Sequence, residues 1–277
     1  MKIVDTTKLK FFKKIMSAVV ALLEDLAGNF VITPSEGVRL RNMDKSRFAL
    51  IDLTIKPVFF EGTLQCDKEY GIAVNVKDFQ KVLERVTGDG SLEITLDHAN
   101  DALKFQSNGF LKKNFALPLT TSNEDQSFLE SDSYEPTVNA KLRGAVLAEL
   151  IKDVAIVGEN VQIGADSEKL VFTCLHDRKE VTIDLVPNLA ESDGDSPVLE
   201  LHADGYAESL YSISMLKDIL KLDSEFAEVQ FSFSSYQPLK LVYSTDEVTL
   251  SYLLAPVQPD TVSDEDDTEE EEEELEA

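Results

Sequence analysis

Three lysines lie close together near the N-terminus, within the stretch KLKFFKKIMSAVVALLEDLAG. Lys10, Lys13 and Lys14 have the i, i+3 and i+4 spacing that places side chains on one face of a helix. Clustered ammonium groups attract phosphates without reading a base sequence. The same spacing fits an ordinary solvated helix face, so the question is whether the pattern recurs. The apolar residues of the stretch fall on the opposite side, toward a core: Phe12, Ile15, Met16, Val19, Leu22 and Leu23.

Basic residues recur on the outer faces of the other predicted helices. The chain has two acidic residues for every basic one. The segregation of bases onto the helices therefore favours a functional basic surface over ordinary solvated helix faces. The third helix is the weakest case. The residues are Lys77, Lys81 and Arg85 on the second helix, Lys152 with Arg143 near the start of the third, and Lys217 and Lys221 on the fourth.

The residue types that usually carry catalysis show no productive spacing. His98, His176 and His202 are isolated and lack the spacing of metal ligands. The acidic run DEDD, 264–267, falls in a segment expected to be unstructured, so it is not preorganised for a metal. No phosphate-binding loop and no nucleophile motif is recognisable. We therefore predict a protein that is not an enzyme and that needs no cofactor or metal.

The composition limits the classes of protein that remain. The 277 residues include 52 acidic and 26 basic side chains, for a net charge of −26. A generally basic nucleic-acid-binding protein is excluded, but a locally basic surface is not. Cys66 and Cys174 are far apart and are expected to be free thiols. With no apolar run of about 18 residues and no signal-peptide pattern, a soluble intracellular protein without a membrane partner is expected.

The helices and strands form an internal repeat of the α+β class. Thr6 or Thr7 is expected to cap the first helix and Gly28 to end it; Asn75 and Gly88 are expected to do the same for the second. In each half, one helix leads into strands that end in Ile-Asp-Leu, and a second helix with further strands follows. The sequence predicts two similar domains, each with two helices packed on a largely antiparallel sheet.

Four segments carry a resemblance to a known family. They are EGVRLRNMDKSRFALIDL (36–53), GIAVNVKDFQKVLERV (71–86), NFALPL (114–119) and LSYLLAP (250–256). Together they closely resemble DNA sliding clamps of the proliferating cell nuclear antigen type, nearer to archaeal than to animal members. The resemblance runs from about residue 1 to residue 256.

The resemblance implies a six-domain ring of three identical subunits around duplex DNA. Such a ring tethers DNA polymerase, the clamp loader, and flap endonuclease and ligase type clients. The family's inner-face bases correspond by position to Lys13, Lys14, Lys81, Lys152 and Lys217, and helical spacing adds Lys10, Lys77, Arg85 and Lys221. Glu84 and Glu149 depart from the pattern, because they fall where a base would be favoured. An archaeal-type clamp would be cytoplasmic and nucleoid-associated; a eukaryotic one would be nuclear.

The resemblance also implies two protein-binding sites. Edge strands around 111–117 and 180–185 should pair between subunits, with Leu111, Lys113, Phe115, Leu117, Glu180, Thr182 and Asp184 at the interface. An apolar pocket beneath the interdomain linker should accept client peptides. Its expected members are Met43, Arg47, Phe48, Leu50, Phe128, Leu129, Pro238, Leu253, Ala255 and Pro256.

The expected domain boundaries follow from these features. They are an N-terminal clamp domain (1–117), a connecting loop (118–136), a C-terminal clamp domain (137–258) and a disordered acidic tail (259–277). From residue 260 onward the chain has 12 acids and no base, which is typical of disorder.

Three alternatives stay open at this point. The chain could be a subunit of a heterotrimeric or checkpoint-type clamp, because one chain cannot reveal its ring partners. It could be an acidic protein-binding scaffold, similar to a histone chaperone, that never encloses DNA. A metal-dependent nuclease is disfavoured, because no placed carboxylate cluster is recognisable.

Overall fold

The structure is a computed structural model that describes residues 1–86, 90–121, 135–187 and 196–258. Within these ranges the α-helices are α1 (Thr6–Leu23), α2 (Val76–Arg85), α3 (Val146–Val154) and α4 (Ile213–Ile219). Short 3₁₀ helices cover Pro57–Phe60 and Leu220–Glu225. No helix in the described ranges is long and apolar enough to cross a membrane.

The strands follow in two series, one for each half of the chain. The first series is β1 (Lys2–Ile3), β2 (Ala27–Thr33), β3 (Gly37–Met43), β4 (Ala49–Ile55), β5 (Tyr70–Asn75), β6 (Ser91–Asp97), β7 (Ala102–Asn108) and β8 (Lys112–Pro118). The second series is β9 (Val138–Arg143), β10 (Asn160–Ala165), β11 (Leu170–His176), β12 (Lys179–Leu185), β13 (Val198–Ala203), β14 (Ala207–Ser212), β15 (Glu228–Phe233), β16 (Leu239–Ser244) and β17 (Val248–Leu254).

The two halves share one topology, which confirms the predicted repeat and the α+β class. In the first half β2–β3–β4, β2–β5 and β6–β7–β8 pair, and β1 pairs with β6. In the second half β10–β11–β12, β10–β14 and β15–β16–β17 pair in the same order, and β9 pairs with β15. The second half adds β13 beside β9. Every pairing between described strands is antiparallel.

The helices form one connected layer in the order α2, α1, α4, α3. Their apolar faces pack toward the sheets, and Phe12, Met16 and Val19 of α1 are buried as predicted. The apolar face of α2 is buried too, from Val76 to Val86. Each helix therefore turns its polar side away from the core, so the basic residues share one side of the molecule.

The two halves are joined by a shared nine-stranded sheet. Its order is β13-β9-β15-β16-β17-β4-β3-β2-β5, so β17 of the second half pairs with β4 of the first. Beside this junction, the Lys8 ammonium donates to Glu247 at 2.6 Å and to the Phe59 carbonyl at 3.3 Å. The predicted boundaries at residues 117, 136 and 258 stay predictions. The expected disordered tail and most of the connecting loop lie outside the described residues.

Several predicted element ends are wrong. Asp5, not Thr6 or Thr7, caps α1, because its carboxylate accepts from the amides of Thr7 and Lys8. The helix ends at Leu23, and Gly28 lies within β2, where a Cβ would come within 2.6 Å of Val76. Gly28 thus permits close packing of α2 on the sheet instead of ending α1.

The second half has similar corrections. Arg143 lies in β9, not in a helix, and its Nε donates to the Ser196 carbonyl at 2.8 Å. Lys221 lies on the 3₁₀ helix that follows α4. Asn75 caps α2 as predicted, with its side chain accepting from the Asp78 amide at 2.9 Å. Gly88, expected to end α2, lies outside the described residues.

Candidate nucleic-acid interface and docking pocket

The basic residues predicted to face DNA occur together on the outer side of the helix layer. All are exposed except Lys13, which is half-buried. We call this set the basic layer. Its members are Lys10, Lys13, Lys14, Lys77, Lys81, Arg85, Lys152, Lys217 and Lys221.

Lys13 has a structural contact within this layer. Its ammonium donates to the Val86 carbonyl at 2.6 Å, at the C-terminus of α2. Partial burial lowers the pKa of Lys13, and nearby Glu84 opposes that shift. A cation at a helix C-terminus satisfies a carbonyl that has no partner within the helix. Lys13 therefore ties α1 to α2 as well as adding positive charge.

Four other bases of the layer lie beside carboxylates. Lys81 pairs with Asp78 at 2.8 Å, Lys152 with Glu149 at 2.6 Å, and Lys221 with Asp218 at 2.9 Å. Lys14 reaches Glu225 on the second half at 2.6 Å. By contrast, Lys10, Lys77, Arg85 and Lys217 have no carboxylate within 4 Å among the described residues.

The described members of the predicted docking pocket occur together at the junction of the halves. Met43 is opposite Leu50 across β3 and β4, and Leu50 is opposite Leu253 across β4 and β17. Because cross-strand partners share a sheet face, these three side chains form one apolar row. Pro238 precedes Leu239, which pairs with Leu254, and the Ala255 amide donates to the Phe48 carbonyl at 2.8 Å. Pro256 follows directly.

A short loop presents Arg47 and Phe48 beside this row. Buried Asp44 organises the loop: its carboxylate accepts from the Ala49 amide at 2.7 Å and from the amide and hydroxyl of Ser46. Arg47 has a left-handed backbone with φ of 63°, and Phe48 is 55 % exposed. A large exposed aromatic beside an apolar row is typical of a binding surface. Phe128 and Leu129, the other predicted members, lie outside the described residues.

The predicted interface strands are both edge strands. β8 lies at the end of the sheet β1-β6-β7-β8, and β12 lies at the end of β12-β11-β10-β14. On β8, Phe115 and Leu117 are half-buried, and the Lys113 ammonium donates to the Arg85 carbonyl at 2.7 Å. On β12, Glu180, Thr182 and Asp184 are exposed, and Asp184 pairs with Lys169 at 2.7 Å.

Sequence reasoning missed one residue at this edge. Phe110 is 98 % exposed, and its neighbour Leu111 is 58 % exposed, just before β8. The signal was visible as an apolar pair after Asn108-Gly109, where turn residues normally precede polar side chains. Large apolar side chains at this exposure favour burial by a partner.

The described residues contain no group of three or more His, Cys, Asp and Glu that could hold a metal. Cys174 is buried and Cys66 is half-buried, both as free thiols. The geometry thus brings together the basic layer, the edge strands β8 and β12, and the apolar row of Met43, Leu50 and Leu253, which we call the docking row.

Comparisons with known proteins agree with this arrangement. The family profile described as proliferating cell nuclear antigen, N-terminal domain, matches residues 4–127. A DNA polymerase sliding clamp from Thermococcus sibiricus is 33 % identical, over 80 % of this chain and 85 % of that protein. One from Thermococcus fumicolans is 31 % identical, over 89 % and 94 %.

Solved structures give the same result for the fold. A PCNA from Thermococcus kodakaraensis has a TM-score of 0.78 at 26 % identity, over 90 % of this chain and 97 % of that chain. A PCNA2–PCNA3 complex from Sulfolobus tokodaii has a TM-score of 0.78 at 25 % identity, over 92 % and 98 %. The helix layer, the repeated topology and these matches together identify the chain as a member of the family of sliding clamps of the proliferating cell nuclear antigen type.

Proposed function

We propose that three copies of this chain close into a ring through pairing of β8 with β12 of the neighbour. The internal repeat supports this pairing. Within the chain, the fourth strand of the first half, β4, pairs with the last strand of the second half, β17. The equivalent strands left open are β12, the fourth of the second half, and β8, the last of the first. If β12 of one copy pairs with β8 of the next, as β4 pairs with β17 within the chain, these two edges join and the outer sheet continues from copy to copy.

Charge and apolar exposure support the same contact. β8 begins with Lys112 and Lys113, whereas β12 carries the exposed acids Glu180 and Asp184 and one base, Lys179. Opposite charges on two edges favour pairing between different edges over pairing of like edges. The exposed Phe110 and Leu111 become buried in this arrangement.

The ring is proposed to encircle duplex DNA with the basic layer facing the phosphates. The observation that carries this proposal is the placement of the basic residues on the helix side in a chain of net charge −26. Contacts of this kind bind without sequence preference, with Kd of about 10⁻⁴–10⁻⁶ M at physiological salt. Weak phosphate contacts permit sliding, while ring closure prevents loss.

The docking row is proposed to bind peptides of replication proteins. Clients of the polymerase, clamp loader, flap endonuclease and ligase types would insert aliphatic and aromatic side chains beside Leu50 and Phe48. The chain would act as a tether without catalysis of its own and without a cofactor. It would work on chromosomal DNA, in an archaeal-type cell in the cytoplasm beside the nucleoid.

Light scattering after size-exclusion chromatography tests the ring first. We expect a species of three chain masses, each 30.8 kDa. A monomer that forms a trimer only with a second clamp chain would instead favour a heterotrimeric ring. The match to a PCNA2–PCNA3 complex makes that arrangement the second candidate.

A charge-reversal variant tests the basic layer. K10E/K77E/K217E alters three exposed lysines that have no carboxylate partner in the described residues. We expect a trimer that no longer stimulates polymerase processivity on primed circular DNA. The control K56E/K68E/K104E places the same charge change outside the layer, on exposed lysines that lie neither on β12 nor in the loop that presents Phe48. Equal processivity of the two variants would contradict the proposed DNA-facing side.

A further inference from the structure

Three helical segments of the basic layer carry the same ion pair. In each, a carboxylate lies three residues before a lysine: Asp78–Lys81 on α2, Glu149–Lys152 on α3, and Asp218–Lys221 across the end of α4. The distances are 2.6–2.9 Å. All six side chains are exposed to between 39 % and 68 %. The carboxylates therefore face the same solvent as the lysines.

The helix ends explain only part of this pattern. Asp78 and Glu149 lie in the first turns of α2 and α3, where the helix dipole favours acids. Asp218 lies in the last turn of α4 instead, where an acid is unfavourable. The helix dipole therefore does not account for Asp218. The three pairs share their i, i+3 spacing and their placement on the outer side of the layer.

Each carboxylate weakens the attraction of its lysine for phosphate. A phosphate that approaches Lys81 must displace Asp78 or share the ammonium with it. It is also repelled by the carboxylate a few ångströms away. Lys10, Lys77 and Lys217 need no such exchange, because no carboxylate lies within 4 Å of them in the described residues.

We propose that Asp78, Glu149 and Asp218 are internal counter-ions that keep the grip of the clamp on DNA weak. This inference rests on the proposed function, in which the basic layer faces duplex DNA. Lys10, Lys77 and Lys217 supply most of the phosphate contact, and the paired lysines engage only transiently. Weak contacts let the ring diffuse rapidly along the DNA, while its closed shape keeps it on the DNA.

The salt dependence of binding distinguishes this role from simple helix stabilisation. A lysine that neutralises a phosphate releases cations condensed on the DNA, which steepens the fall of log K with log salt. A lysine held by its own carboxylate neutralises less phosphate charge and therefore releases fewer of these cations. Removal of the carboxylate should therefore steepen the salt slope as well as tighten binding.

The test uses the full chain with the amide variant D78N/E149Q/D218N. The control is E36Q/E200Q/E228Q, which makes the same charge change on the sheet side. There Glu228 and Glu200 lie within 2.5 and 4.0 Å of Lys141. Binding of a labelled duplex oligonucleotide would be measured by fluorescence anisotropy between 25 and 200 mM salt. Diffusion of loaded rings on stretched DNA would be measured in parallel.

We expect the amide variant to bind at least about threefold tighter at low salt, since each exposed pair released gives roughly a 1.5- to 5-fold gain. Its salt slope should be steeper and its diffusion slower, with the control unchanged in all three. Equal gains in DNA affinity for the variant and the control would overturn the inference, because the change in net charge alone would then explain the tighter binding. If D78N/E149Q/D218N loses helix content by circular dichroism, the same measurements are made on the single variant D218N. Asp218 does not lie in the first turn of α4, so this variant leaves the start of the helix unchanged.

K10E/K77E/K217E separates this inference from the proposed function. If those reversals abolish DNA binding while the amide variant matches the control, the basic layer faces DNA and the internal counter-ion role is wrong. If the reversals leave DNA binding intact, the proposed function itself fails.

Discussion

At the scale of single residues, buried Asp223 stabilises the beginning of α3 from a different segment of the chain. Its carboxylate accepts from the Ala148 amide at 3.0 Å and from the Tyr243 hydroxyl at 3.1 Å. The first residue before α3, Ala145, has no side chain that could cap the helix. Asp223, which is distant in sequence, therefore supplies the helix cap that the residues just before α3 do not provide.

Replacement of Asp223 by alanine should lower the free energy of unfolding by about 1–3 kcal/mol, because a buried amide and a buried hydroxyl lose their acceptor. Urea denaturation measures the change. The control Asp246→Ala alters an exposed turn residue and should be nearly neutral. Equal stability of the two variants would contradict the capping role.

The pH dependence of this site has a defined sign. Burial raises the pKa of Asp223, against the opposing effect of its hydrogen bonds. Between the unfolded pKa of 3.8 and the raised folded pKa, the folded state binds more protons than the unfolded state. The contribution of Asp223 to stability is therefore largest below pH 3.8 and falls as the pH rises through the folded pKa. In urea titrations at several pH values, Asp223→Asn should remove this decrease in the free energy of unfolding with rising pH. If the decrease persists in the variant, another titrating group causes it.

At the scale of elements, the loop between β3 and β4 holds Phe48 beside the docking row. Asp44 accepts hydrogen bonds from both ends of the loop, and Arg47 keeps a left-handed backbone there. The loop thus holds Phe48 at the rim, where the Ala255 amide reaches its carbonyl. Preorganisation of this kind reduces the entropy lost when a peptide binds.

Phe48→Ala should weaken binding of a labelled peptide with one aliphatic and one aromatic anchor by at least about fivefold, because the bound peptide would cover this exposed aromatic ring. Asp44→Ala should give a similar loss without removing a contact, because the loop loses its acceptor. Val58→Ala is the control, since Val58 is 57 % exposed but lies away from the row. Fluorescence anisotropy measures all three, and unchanged binding by Asp44→Ala would show that the loop needs no such acceptor.

At the scale of the whole molecule, the proposed junction between copies follows the pattern of one junction within the chain. The sheet continues from β4 to β17 inside the chain, and β8 and β12 are the equivalent open edges. β8 carries the bases Lys112 and Lys113, and β12 carries the acids Glu180 and Asp184 with one base, Lys179.

The variant K112E/K113E should dissociate the trimer, because like charges then meet across the junction. Adding E180K/D184K to the same chain should restore the trimer by exchanging the two charges. Light scattering at several concentrations measures both, with K45E/K56E as a control of equal charge change. A trimer that survives K112E/K113E would show that this edge contact does not depend on its charges.

The sequence alone determined the elements whose signal is local. Helical spacing placed Phe12, Met16 and Val19 on a buried face and the lysines on the opposite face, because residues three or four apart lie on the same face of an α-helix. Asn75 was recognisable as a cap from its position before α2. The repeat was visible because both halves must bury the same kind of amphipathic helix on the same kind of sheet.

Only the tertiary structure decided what depends on segments distant in sequence. Lys14 meets Glu225, Asp223 caps α3, and β17 pairs with β4, each across a separation that no periodicity encodes. Gly28 was misassigned for the same reason, since the close approach of Val76 that requires a glycine comes from another helix. Local patterns specify which face of an element is apolar and which charges pair at i, i+3 along one helix. Packing decides which charges meet between elements, as those of Lys14 and Glu225 do, because no sequence period relates residues of different elements.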